Sequence, residues 1–261
     1  MRWLFAAGLL LTANLSGWSQ FVGSQPGTAT TTKPSKMSFF IHANLEMPKG
    51  AFAALNTINV TGVDYWKQRF FGTGGVGAQT GFSIEAGIGM PTFGANPDKQ
   101  SKFSFYYHPL IIAYGKYPLS WNQPYDAAKS TKPISYIEVA QRYGLGYSPI
   151  DKLQTAIYYR PGAVIPMDFE IAQTGSGGST LSVKGTMSVA KTAPVFMMSH
   201  TWGISVKYMV FVLYYESYFA QPSYDIKISQ VDPLKPFNNY DGTITGKIHY
   251  HTNTIGLGFE F

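Results

Sequence analysis

Residues 37–47 alternate in strict step. Met37, Phe39, Ile41, Ala43, Leu45 and Met47 are all apolar, and Ser38, Phe40, His42, Asn44 and Glu46 lie between them. Period two belongs to a strand, whose successive side chains point to opposite faces, and not to a helix. The pattern returns at the far end, where Ile255, Leu257, Phe259 and Phe261 alternate with Thr254, Gly256, Gly258 and Glu260. Composition agrees with an all-β chain. Charged residues make up 13% and aromatics 16%, the reverse of a disordered segment. A helical bundle would be richer in Ala, Glu, Lys and Leu. There is no cysteine, which excludes a disulfide scaffold, a thiolate metal centre and a cysteine nucleophile.

Six further strands fill the space between. Over 77–90, Phe82, Ile84, Ala86, Ile88 and Met90 oppose Gly81, Ser83, Glu85, Gly87 and Gly89. The next spans 102–114 and is disturbed by Pro109, which has no N–H for the ladder. Over 134–147, Ile137, Val139, Tyr143, Leu145 and Tyr147 oppose Glu138, Ala140, Arg142, Gly144 and Gly146. Then come 153–163, 194–205 and 208–219, with a turn placed near 205–207, and a last strand over 247–261. The connections alternate in length. Those near 48–76, 115–133, 164–193 and 220–246 are long, and the others are shorter. Long and short loops on opposite sides suit an up-and-down barrel. The count is eight strands, or ten if the third long connection holds a hairpin, as Ile165–Ile171, Leu181 and Val183 hint.

The start of the chain reads as a secretory signal over 1–19. Arg2 precedes a short apolar core, Leu4–Leu11, and Gly17, Trp18 and Ser19 form a small-residue cleavage site. A polar leader follows over 20–36. The longest later apolar run, Tyr208–Tyr215, is far short of the roughly 20 residues a membrane helix needs. A closed barrel is then the one way to cross a bilayer with every backbone group paired. A signal sequence with a final amphipathic strand ending in Phe261 resembles the small Gram-negative outer-membrane β-barrels, the OmpA/OmpX-like class. The resemblance implies a closed antiparallel up-and-down transmembrane barrel over 37–261, located in the outer membrane, with the long loops outside. It implies that Ile255, Leu257, Phe259 and Phe261 form the signal read by the barrel-assembly machinery. It also implies that outer-membrane lipid and lipopolysaccharide surround the wall.

Candidate chemistry is sparse. Glu85, Glu138, Arg142 and Glu260 all have inward parity. In an eight-stranded barrel, just wide enough for its own side chains, they should form a salt-bridge network that fills the bore; a selectivity ring is the alternative. His249 and His251 share a face but show no third ligand, so no metal is expected. Ser199 and His200 are adjacent and so point to opposite faces, which argues against a catalytic dyad. Gly72–Gly77 lacks the Lys-Ser/Thr and the helix of a phosphate loop, so no cofactor is expected. The lysines are scattered, which gives no nucleic-acid footprint. The long loops carry Tyr65, Trp66, Phe70, Trp121, Tyr125, Tyr224 and Tyr240, residue types that favour interfaces. These residues are expected either to contact an extracellular protein or glycan or to pack on each other as a cap. The leading expectation is a non-enzymatic barrel presenting loops for structural, adhesive or partner-binding roles. The alternatives are a narrow pore or transport accessory, and a lipid-modifying enzyme.

Overall fold

The computed structural model describes residues 37–54, 76–93, 103–121, 129–150, 152–174, 180–187, 197–231, 233–234, 236 and 239–261. The expected signal and leader, 1–36, lie outside the described residues. The elements run β1 (Ser38–Pro48), a one-turn helix α1 (Gly50–Ala54), β2 (Val76–Ala78), β3 (Gly81–Phe93), β4 (Phe103–Tyr117), β5 (Leu119–Trp121), β6 (Lys129–Lys132) and β7 (Ile134–Ile150). They continue with β8 (Leu153–Pro166), β9 (Phe169–Thr174), β10 (Thr180–Met187), β11 (Met197–Tyr208), β12 (Phe211–Ala220), β13 (Ser223–Val231), β14 (Tyr240–Lys247) and β15 (Tyr250–Glu260).

Eight of these strands close into one antiparallel barrel, in the order β1-β3-β4-β7-β8-β11-β12-β15 and back to β1. Each barrel strand pairs with the next one in the chain. The seam is shut by β1 against β15, with Ile41 opposite Phe259, Ala43 opposite Leu257 and Leu45 opposite Ile255. The strand that ends the chain is therefore also the strand that closes the cylinder. The third long connection does hold a hairpin, β9–β10, but its strands join a separate sheet, and the barrel stays at eight. That second sheet has the order β14-β13-β10-β9-β6, and β2 pairs with β5. All these strands come from the connections after the first, third, fifth and seventh barrel strands, so they gather at one end.

At the opposite end, two of the three connections are tight turns, and the third, 94–102, lies outside the described residues. Ile150 pairs with Leu153 and Tyr208 with Phe211, leaving two residues in each turn. Lys152 and Met209 take positive φ there, 65° and 55°. Glycine or asparagine usually fills that region. Met209-Val210 carries no turn residue at all, so the sequence places this turn near 205–207, whereas the ladder runs on to Tyr208. Neighbouring turns brace one another: Met209 N–H donates to the Lys152 carbonyl at 2.9 Å, and Glu260 N–H to the Val210 carbonyl at 2.8 Å. On β4 the register shifts between His108 and Ile111, around Pro109, as a missing ladder donor requires.

The alternation read from the sequence maps onto the two faces of the wall. On β1, Ile41 is 52% exposed while His42 is 2% exposed. The inner face is filled by a repeated device, in which an aromatic ring on one strand lies over the glycine paired with it on the next. Tyr106 covers Gly144, Tyr136 covers Gly115, Tyr158 covers Gly203, Tyr214 covers Gly256, and Phe40 covers Gly87. A bore this narrow cannot hold a ring and a second side chain at the same level. At the strand-rich end, Tyr136, Tyr218, Tyr117 and Tyr250 continue into the core beneath the second sheet, with Phe169, Ile171, Val183, Ile226 and Ile228. A Cβ at Gly256 would run into the Tyr214 ring. Gly256→Ala is expected to destabilise the fold by about 1–3 kcal/mol. Urea unfolding followed by tryptophan fluorescence checks this, and an unchanged midpoint would count against the ring-over-glycine packing.

Candidate functional site

Strand parity brings charge into the middle of the bore. On β3 the inward residues include Ser83 and Glu85, on β7 Glu138 and Arg142, on β8 Tyr158 and Arg160, and on β12 Tyr214 and Glu216; all are buried. Arg142 Nη2 donates to Glu85 Oε1 at 2.8 Å and to Glu216 Oε1 at 3.3 Å. Arg160 Nη1 donates to Glu85 Oε2, while its Nη2 lies 3.2 Å from Glu216 Oε2 and 3.4 Å from Glu138 Oε2. His42 Nδ1 stands 2.8 Å from Glu85 Oε1. The Tyr158 hydroxyl donates to Glu216 at 2.8 Å, and the Ser199 hydroxyl donates to Glu138. The Arg142 guanidinium also lies over the Tyr158 ring, 4.7 Å from its centroid. Charges taken out of water persist only when paired and hydrogen-bonded. Each charged side chain here has an ion-pair partner and at least one hydrogen bond, while Arg142 Nε, Arg160 Nε and His42 Nε2 are left without a hydrogen bond among the described residues.

The expected group is therefore partly assembled. Glu85, Glu138 and Arg142 belong to one network. Glu260 does not: it sits at the tight-turn rim, where it accepts from Ser38 Oγ at 3.0 Å and faces Lys207 Nζ at 3.0 Å and His108 Nε2 at 3.7 Å. Parity gives the face of a residue but not its height, and Glu260 shares only the face. Arg160 and Glu216 also belong to the network, two members beyond those expected from the sequence. The signal was present. With Leu153, Ile157 and Tyr159 outward, Arg160 must point in, and with Phe211, Leu213 and Tyr215 outward, so must Glu216.

The two ends of the bore differ. Toward the tight turns lies a polar cavity of about 230 Å³, lined by His42, Tyr106, His108, Lys207 and Glu260 and reaching Arg142. Toward the strand-rich end the network meets aromatic packing. Glu46 accepts from the Tyr136 hydroxyl at 2.7 Å. Tyr136 stacks on Tyr218 at 5.7 Å and on Tyr117 at 5.8 Å between centroids. Phe52, from α1, stacks on Tyr250 at 4.7 Å and meets Tyr117 edge-on at 4.9 Å. Each such pair adds about 0.5–1.5 kcal/mol beyond its buried area. Beyond them Tyr224 hydrogen-bonds to Tyr250, and burial pushes the Tyr224 hydroxyl above the ordinary tyrosine range.

The other candidates fall as follows. Ser199 points inward to Glu138, whereas His200 points outward and shares a hydrogen bond with the Tyr159 hydroxyl at 2.6 Å. His249 Nδ1 is 3.1 Å from Gln221 Nε2, and His251 is exposed. Among the described residues no three His, Asp or Glu side chains are grouped to hold a metal ion. Of the loop aromatics, Tyr65, Trp66, Phe70 and Tyr125 lie outside the described residues. Trp121 ends β5 and Tyr240 begins β14. Tyr224 is fully buried and packs edge-on to Phe169, in the manner of a cap. Along the chain's last strand, Ile255, Leu257, Phe259 and Phe261 all face outward and are exposed.

No protein-family model matches the chain, and no curated protein matches it significantly in sequence.

Removing either arginine leaves three buried carboxylates facing a single guanidinium. Arg160→Ala and Arg142→Ala are each expected to cost about 3–5 kcal/mol of stability. Arg160 spans three carboxylates and Arg142 two, so the Arg160 variant should unfold at the lower urea concentration. Equal midpoints for both variants and the parent chain would remove the network from any structural role.

Proposed function

We propose that the protein is an integral outer-membrane barrel of the small OmpA/OmpX-like kind, closed along its axis, which holds its second sheet outside the cell for a structural, adhesive or partner-binding role. One observation carries this reading: the barrel is inside out for a soluble protein. Its charges are buried, and its large apolar side chains face outward. Leu145, Ile157, Ile204, Leu213, Leu257 and Trp202 are each more than half exposed, while Glu85, Glu138 and Glu216 are fully buried. Soluble monomers rarely expose contiguous apolar patches beyond a few hundred Å², whereas hydrocarbon demands such a surface.

The dimensions support the same reading. On β11 the outward residues Met198, Trp202, Ile204, Val206 and Tyr208 are all exposed, and the one polar residue on that face, His200, shares its hydrogen bond with the Tyr159 hydroxyl. Met198 to Tyr208, at about 3.3 Å per residue and a tilt of about 40°, covers roughly 25 Å, the height of a barrel's apolar belt. Aromatic rings pack along this outer face. Tyr107 stacks with Tyr143 and Tyr159 packs on Trp202 within the wall, and Phe103 packs on Tyr147 and Phe211 on Phe259 near the tight-turn edge. Rings that are half apolar and half polar favour the membrane interfaces. The absence of a long apolar helix among the described residues bears on helical spans alone.

The central ion network and the aromatic layer above it support a closed bore, and a closed bore favours anchoring and display over transport. The test is gel mobility of the outer-membrane fraction with and without boiling, together with conductance in planar bilayers. A boiling-dependent shift and electrical silence are the expected results. A soluble periplasmic protein would sink the membrane reading. Steady unit conductance would sink the closed bore and favour the pore.

A further inference from the structure

Most of the outward wall is plain apolar surface, but one stretch of it changes character. On β4 the outward stripe reads Ile112, Tyr114, Lys116, and the first two are exposed. The change from apolar to cationic occurs within two positions, at the end of the barrel that carries the second sheet. Across the ladder Tyr114 pairs with Ile137 and Lys116 with Ser135. Lys132, exposed, ends β6 two positions before β7 begins. The bend between β8 and β9 forms the third side, where Met167 N–H donates to the Ser135 carbonyl at 2.9 Å. Together Tyr114, Lys116, Lys132, Ser135, Met167 and Asp168 line a groove of about 550 Å³. Asp168, the one carboxylate in that lining, is already engaged within the fold.

We infer that this groove seats the phosphate headgroup of an anionic membrane lipid, with its acyl chains lying down the Ile112–Tyr114 stripe. Two complementary features select this occupant. The lysine ammoniums offer compact cationic donors to a phosphate, and the apolar strip directly below continues the outward wall. A free anion would use only the first feature, and an uncharged lipid only the second. The tyrosine between them suits the boundary, since its ring is apolar and its hydroxyl is polar. The inference rests on the membrane reading above and adds to it a lipid class and a place on the wall.

The test uses the full chain in nanodiscs of zwitterionic phosphatidylcholine doped with phosphorylated lipid A, with retained lipids counted by native mass spectrometry. Lys116→Gln combined with Lys132→Gln is compared with Lys184→Gln combined with Lys227→Gln, a pair from the second sheet. Near a charged membrane surface each lysine contributes roughly fivefold, so the groove variant is expected to retain the lipid on the order of thirtyfold less well. The control pair should retain it as the parent does. Equal retention by the two variants would overturn the site, as would equal retention of dephosphorylated lipid A. Displacement by millimolar inorganic phosphate would assign the groove to free anions instead. The boiling-dependent gel shift is read on every sample. A chain that shows the shift but no lipid preference refutes the groove alone. A parent chain without the shift refutes the membrane reading, and the groove with it.

Discussion

An eight-stranded barrel has no interior other than the side chains its own strands send inward, and everything else in this protein follows from how that small volume is filled. Arg142 and Arg160, from the adjacent strands β7 and β8, reach across the bore to Glu85 on β3 and Glu216 on β12. His42 ties in β1 through Glu85, and Ser199 ties in β11 through Glu138. Strands that are not neighbours in the ladder are thus linked through the centre. Sliding any one of them by a single residue would turn its charged member toward the outer face. The network therefore acts on register as much as on energy. That matters because buried ion pairs contribute little net stability once desolvation is counted.

The ring-over-glycine pairs complete the same arrangement. Tyr158 and Tyr214 lie over Gly203 and Gly256, and both hydroxyls bond into the centre, to Glu216 and to Asn44. The glycine gives the ring room to lie flat on the wall, and the flat ring aims its hydroxyl at the middle of the bore. Volume and polarity are thus met by one residue type. This is one use the chain makes of a composition rich in both tyrosine and glycine, with 18 and 27 residues.

Much of this was legible in the sequence because period two is unambiguous where one face is apolar. The eight barrel strands, their parity, the alternation of long and short connections and the inward placement of Glu85, Glu138 and Arg142 all come from that single signal. The limits of the signal are physical too. Parity carries no height, so Glu260 was grouped with a cluster it does not join. A turn held at positive φ by Met209 has no turn residue to announce it. The strands of the second sheet are short, and β10 interrupts its pattern with Gly185, which lies under the Phe169 ring. Such strands acquire a reason to exist only when neighbours from distant connections pair with them. Tyr224 reads as a loop contact residue by type, and only its place on β13, over the core, makes it a buried packing residue.

The two ends of the bore constrain any account of its function. Water has polar partners in the tight-turn cavity, where His42, His108 and Glu260 line the wall. It has few beyond Glu46, where Phe52, Tyr117 and Tyr250 meet ring to ring and Tyr218 stacks on Tyr136. On the closed-bore reading, a solute passing through would first have to part the arginine–carboxylate pairs, leaving charges unmatched in a narrow bore. It would then have to displace α1 with its Phe52 and open a stacked aromatic layer continuous with the core of the second sheet. These barriers lie in series and are built from different interactions, so no single change of charge or of packing opens both. On the proposed reading, recognition therefore falls to the outer surfaces, namely the wall that meets lipid and the sheet that stands above it.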